Sequence, residues 1–319
     1  DRSAARERLR AAFRYVMLTT STIPGARFVD PVVLSRIGNL ELVARYVVDG
    51  FINGMHRSPY FGASVDFAEH RGYVPGDDVR RMDWKLWART DRYYIKEYEA
   101  ETNMNFSVLL DVSKSMDYGS RGITKFEYAR ILTACLTNLV HHQRDRVGFV
   151  AFDDEVVEYV PPSAKHMETV LHVLDRLTPG RPGNLKKPLH KLAEHFGRRG
   201  VVVIVSDFYE EPEAILDAVS PLRFRGQDII AFHVLDPTEL EFGFSDAQPF
   251  EDLESGEQMP VVPEAFREEY RSLVTAHIDA LTRSFAGVRV DYTMLDTSKP
   301  LDFALYRYLG SRAKMMKIR

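Results

Sequence analysis

Five short apolar runs in this chain each end one or two residues before an aspartate: Asp111, Asp153, Asp207, Asp236 and Asp296. Carboxylates are hard oxygen donors, and several at one rim could hold a hard divalent cation such as Mg²⁺. The competing reading is plainer, because Asp also favours turns and helix N-caps. The first of the five opens Asp111-Val112-Ser113-Lys114-Ser115, which places a carboxylate and two hydroxyls at i, i+2 and i+4. In a loop after a buried strand, those groups could converge on one cation and leave it electrophilic towards an incoming carboxylate. Ser113 and Ser115 could instead cap the element that follows. Ser206-Asp207 closes a second apolar run far along the chain and offers the remaining carboxylate.

Such groups need elements to position them. The runs Phe106–Leu110, Val147–Phe152, Val201–Val205, Ile229–Leu235 and Val288–Leu295 are short, mostly apolar and often β-branched. Runs of that kind predict strands buried on both faces, as in a parallel sheet. Helical periodicity lies between them, over Lys125–His142, His166–Leu177, Leu185–Phe196 and Pro212–Phe224. In the first of these helices Leu132, Cys135, Leu136 and Leu139 form one stripe, where the lone cysteine packs. Alternating strands and helices predict an open α/β sheet, whose ligands bind beyond the carboxyl ends of the strands. The five aspartates all fall at that end.

The rest of the chain reads differently. Residues 1–102 predict a small helical and β-containing module, with helices near Ala4–Met17 and Leu40–Phe51 and a strand at Tyr93-Tyr94-Ile95. Residues 103–319 form the α/β domain. An acidic insert at about 238–286 interrupts its rhythm; Glu239–Arg271 carries ten acidic residues against two arginines. That segment is either a solvated surface or a dock for a basic partner face. It starts turn-rich and becomes helical from Glu264 to Phe285.

Composition excludes several classes. The 319 residues are 45% hydrophobic and 28% charged, ordinary for a globular protein. Cys135 is the single cysteine, so neither a disulfide framework nor a cysteine-built zinc site exists. A net charge of −4 gives no global field for nucleic acid. Arg2, Arg6, Arg8, Arg10 and Arg14 have no aromatic platform beside them and read as a solvated helix face. No apolar run approaches the roughly 18 residues of a membrane span, so the expected location is cytoplasmic. No G-x-S-x-G elbow or phosphate-binding G-x-x-x-x-G-K-[ST] loop is present. A phosphoryl-transfer or hydrolytic enzyme dependent on Asp111 is the alternative function. Phosphatases of the haloacid dehalogenase type, however, want Asp two residues later, and Ser113 stands there.

Two sets of residues carry a family resemblance. Asp111-x-Ser113-x-Ser115 with Ser206-Asp207 resembles the metal-ion-dependent adhesion site of von Willebrand factor A domains. The run Tyr73-Val74-Pro75-Gly76-Asp77-Asp78-Val79-Arg80-Arg81-Met82-Asp83-Trp84, then Ala88-Arg89-Thr90-Asp91, is more specific. It resembles the signature of domain-of-unknown-function family 58, bacterial von Willebrand A-like proteins associated with MoxR-type AAA+ ATPases. Gly54–Ser58, Lys96–Asn103 and Val234-Leu235-Asp236-Pro237 match as well. The resemblance implies a Rossmann-like von Willebrand A fold and a non-catalytic adaptor or chaperone-like role beside the ATPase. Protein maturation or complex assembly, with client proteins, is the implied setting.

Two departures from the family pattern follow. Many relatives carry transmembrane helices near the N-terminus, and no such run occurs here. The adhesion site also normally takes a threonine from a loop between Ser115 and Asp207, and that position falls on Gly183 in Gly180-Arg181-Pro182-Gly183-Asn184-Leu185. Asn184, Thr178 or water could substitute. The expectation is a weakened or absent Mg²⁺ site on Asp111, Ser113, Ser115 and Asp207. Within the signature, Gly76, Asp77, Asp78, Arg80, Asp83 and Trp84 mix both charge signs with a bulky ring, which suits either fixing the module to the main domain or recognising a partner.

Overall fold

The strands form where the sequence leaves no face for water. In β3 (Asn105–Asp111), Val108 and Leu110 point into one core while Leu109 points into the other. In β6 (Gly200–Ser206), Val201, Val203 and Val205 alternate in the same way with Val202 and Ile204. The computed structural model describes residues 30–56, 70–73, 82, 84–90, 92–96, 104–196, 199–244, 248–251, 258–261 and 263–317. In chain order, the first elements are α1 (Pro31–Ser35), α2 (Leu40–His56), β1 (His70–Gly72), α3 (Trp84–Thr90), β2 (Tyr94–Lys96) and β3. Next come α4 (Lys125–His142), β4 (Arg146–Phe152), β5 (Val156–Ser163), α5 (Met167–Arg176), α6 (Lys186–His195), β6, α7 (Pro212–Phe224) and β7 (Asp228–Leu235). The chain continues through α8 (Pro237–Glu241), β8 (Gln248–Glu251), β9 (Gln258–Val261), α9 (Pro263–Gly287), β10 (Asp291–Asp296) and α10 (Asp302–Lys317).

Six strands form the main sheet in the order β10-β7-β6-β3-β4-β5. All neighbours are parallel except β5, which pairs antiparallel with β4 at the edge. The predicted open, mostly parallel α/β architecture is what the chain adopts, and five of its strands fall where the apolar runs lie. Strands β3, β4, β6 and β7 are buried, whereas β10 closes an edge of the sheet and is only half-buried. β5 was not foreseen. As an edge strand it buries little beyond Val160, so its composition is mixed rather than apolar. α10 also carried no sequence expectation, yet Leu301, Ala304, Leu305 and Tyr308 are buried beneath it.

Helices cover both faces. Helices α1, α2, α4, α5 and α10 share one core with the sheet, and α6, α7 and α9 share the other. Helix α4 was expected to bury one stripe but is buried almost all round. It lies against the sheet on one side and against α2 and α5 on the other, so no face is left for solvent. Cys135 is fully buried there, and burial raises its thiol well above the ordinary value. Thr124 starts this helix with a capping box closed by Glu127.

The acidic segment resolves into α8, the β8–β9 hairpin and α9. Leu281 and Phe285, late in α9, belong to the second core, so this end of the helix packs as a crossover to β10. Among the described residues no helix is long and apolar enough to cross a membrane. Gly76, Asp77, Asp78, Arg80 and Asp83, and the N-terminal arginines, lie outside the described residues. Trp84 is half-exposed at the start of α3, with its ring 6.1 Å from that of Trp87.

Leu34, Val43, Val48 and Phe51 join the same core as the sheet, so α1 and α2 pack as part of it. Phe51 is buried, 4.6 Å from the ring of Tyr306 on α10. Phe51→Ala should therefore cost about 3–5 kcal/mol. Urea unfolding followed by tryptophan fluorescence and by far-ultraviolet dichroism checks this. One shared transition moving to lower urea is expected, and a separate early transition would contradict the packing.

Candidate functional site

The site lies where the strand order reverses. From β3 the chain moves to β4 and β5 on one side, then returns to β6 on the other, and ligands favour the crevice at such a point. Asp111 ends β3, and Asp207 follows the last residue of β6. Ser113 donates its backbone N–H to Asp111 Oδ1 at 2.8 Å, which folds the loop back on the strand end. Ser113 Oγ and Ser115 Oγ then stand 3.1 Å apart. Ser206 Oγ donates to Asp111 Oδ2 at 2.6 Å and accepts the Phe208 N–H. Phe208 turns the chain in the left-handed region, φ 45°, unusual for a bulky residue. His277 Nε2, 2.8 Å from the Phe208 carbonyl, holds that turn from α9.

The structure places Asp111, Ser113, Ser115 and Asp207 at this crevice, all of them buried. Burial, followed by the nearby Asp207 carboxylate, pushes Asp111 up to about 7. The other three strand-end aspartates are engaged elsewhere. Asp236 caps α8 and accepts hydrogen bonds from Ser120 and Thr238. Asp153 and Asp296 close turns on Glu155 and Ser298.

Sequence reasoning missed the residue at the centre. The Lys125 side chain is fully buried, and its Nζ donates to Asp207 Oδ2 and Glu239 Oε1, each at 2.8 Å. Tyr209 OH lies 3.4 Å from Nζ, and the Tyr209 ring centroid 4.5 Å. Burial pulls the ammonium down, but the Asp207 and Glu239 carboxylates outweigh it and hold Lys125 above the ordinary lysine value. A signal existed. Lys125 follows a helix N-cap and opens a helix rich in apolar residues, where a lysine must either reach solvent or find carboxylates.

A small divalent cation fits this set in one respect and fails in two. Hydroxyls 3.1 Å apart match adjacent ligands around an ion with bonds of roughly 2.1 Å. Position 183, however, has neither donor nor room: a Cβ there would stand 2.7 Å from Ser113 Cβ and 3.2 Å from its Oγ. The loop is pinned against the site by Lys114 N–H on the Arg181 carbonyl at 2.7 Å. Asn184 Oδ1 accepts the Lys187 N–H at the start of α6, and Thr178 is exposed. The second failure is that Asp207 Oδ2 already accepts from an ammonium. The residues present do not make a complete shell for the ion.

Beside Glu239 opens a cleft of about 240 Å³, lined by Tyr209, His233, Glu239, Tyr270, Leu273 and His277, among others. His233 is buried, with Nδ1 2.6 Å from Tyr292 OH, and burial, then His277, pushes it down to about 3.

An open sheet with an Asp-x-Ser-x-Ser loop at its switch point is the arrangement of a von Willebrand A-like domain. Residues 69–280 match the family model described as protein of unknown function DUF58, and the chain belongs to that family. The uncharacterized protein Rv1480 of Mycobacterium tuberculosis is 28% identical over 294 residues, covering 89% of this chain and 91% of its own length. The conserved hypothetical protein BatB from Bacteroides thetaiotaomicron is similar in structure, with a TM-score of 0.44 at 17% identity, covering 67% of this chain and 99% of that one. An aerotolerance-related membrane protein from Bacteroides fragilis gives a TM-score of 0.47 at 16% identity, covering 64% and 97%.

Two outcomes follow from the site's charges. Lys125→Ala strands two buried carboxylates and should cost about 3–5 kcal/mol, read as a lowered urea midpoint. His233 binds its proton less readily folded than unfolded, so its contribution to stability is complete above about 6.5 and is lost as pH falls towards 3. His233→Phe should flatten that part of the midpoint-against-pH curve, and an unchanged slope would show that other groups set acid sensitivity.

Proposed function

We propose that the chain is a non-catalytic protein-binding adaptor or chaperone-like factor. In this reading it works in the cytoplasm with a MoxR-type AAA+ ATPase and its client proteins, in protein maturation or complex assembly. Membership of the DUF58 family and the resemblance in its signature support that partner. The observation that carries the binding role is how the rim carboxylates are used. Asp111 holds Ser113 and Ser206, Asp207 and Glu239 hold Lys125, and Asp236 holds Ser120 and Thr238. These bonds fix loops from distant parts of the chain into one preformed surface, and a preformed surface binds without an ordering cost. Arg121 and Arg181 stand exposed on those fixed loops, and arginine is favoured at protein interfaces.

Capture of the ATPase by the purified chain, with ATP and Mg²⁺ present, tests this reading. Co-purification is expected, weakened about tenfold by Arg121→Glu with Arg181→Glu at unchanged melting temperature. A clean failure to capture would remove the ATPase from the proposal. Turnover of an aryl phosphate abolished by Asp111→Asn would replace the adaptor with the Asp111-dependent enzyme.

A further inference from the structure

We infer that the Lys125 ammonium is the resident cation of this rim, and that the site takes no divalent metal ion. An ammonium has three donors, and here each has a neighbour: Asp207 Oδ2 and Glu239 Oε1 at 2.8 Å, and Tyr209 OH at 3.4 Å. The side chain is fully buried, and the Tyr209 ring adds its negative face 4.5 Å away. Nothing about this geometry is makeshift, since Lys125 is the first residue of a helix fixed by its capping box.

The competing oxygens are also engaged. Asp111 Oδ1 accepts from the Ser113 N–H and Oδ2 from Ser206 Oγ, so an incoming ion would have to share both oxygens with donors already in place. It would also stand close to a fixed positive charge in a site of low dielectric, where like charges repel strongly. The threonine position is closed as well, because a side chain on Gly183 would press against Ser113. Of these three features the fixed charge opposes the ion most strongly, so removing it alone should raise the affinity.

The ammonium does what a bridging metal would do structurally. It ties together the end of β6, the first turn of α4 and the short helix α8, through Asp207 and Glu239. Tyr118 OH with Thr238 Oγ1, and Ser120 with Asp236, hold the same helix over the loop that follows β3. The rim is therefore assembled at any divalent ion concentration, and this inference stands whether or not the adaptor reading does.

Mn²⁺ is the probe, with free ion counted by electron paramagnetic resonance against the full chain. The wild type should show no binding that Asp111→Ala removes, up to roughly 1 mM, the weak end of protein sites for hard cations. Lys125→Met keeps the stem, frees Asp207 and Glu239, and should gain Mn²⁺ affinity about tenfold or more. Wild-type binding that Asp111→Ala abolishes would overturn the inference. So would a folded Lys125→Met chain with no gain. Should Lys125→Met fail to fold in chelator, refolding with Mn²⁺ is the second readout. A restored cooperative melt is expected because the ion replaces the missing charge, and no restoration would equally overturn the inference.

Discussion

One buried ammonium shared by two carboxylates holds the functional end of this molecule in place. Lys125 rises from the first turn of α4 into a setting where an unpaired charge would be intolerable, and Asp207 and Glu239 meet it at equal distance. Replacing all three with apolar residues could leave the fold as stable, since buried ion pairs seldom add net stability. What they supply is a defined arrangement. The pair of bonds dictates where β6 ends, where α8 lies and how the loop after β3 is covered.

Around that centre, the same residue type does different work according to its neighbours. Five aspartates follow five strands, yet only Asp111 and Asp207 converge. Asp153 and Asp296 are consumed by turns within a few residues of themselves, and Asp236 caps α8 while holding Ser120 from the loop after β3. The distinction comes from topology. β3 and β6 are adjacent at the switch point, so their ends face one crevice, whereas β4, β7 and β10 end further along the sheet.

The buried strands and main helices were legible because their signals are local. Five apolar runs became five strands, and the periodicity over Lys125–His142 and Pro212–Phe224 matched the helices residue for residue. Four residues of the site were legible too, since Asp111, Ser113, Ser115 and Asp207 sit in motifs. Lys125 and Glu239 were not, because what joins them is a long-range ion pair across 114 positions. Composition groups Glu239 with an acidic stretch that reads as a solvated surface or a dock for a basic partner, although its side chain is mostly buried. β5 was missed for the opposite reason: its pattern is mixed because it lies at the margin of the sheet.

That marginal strand limits how the molecule can be approached. β5 closes one edge of the sheet, and two of its eight residues, Pro161 and Pro162, have no N–H to offer. Gly148 on β4 leaves space that the Pro162 ring fills. An extended peptide seeking to lengthen the sheet there would find gaps in the ladder of donors it needs. Recruitment by strand addition is thus discouraged along this margin, as is runaway self-stacking. Visitors are steered towards side chains and loop tips, where recognition can be selective.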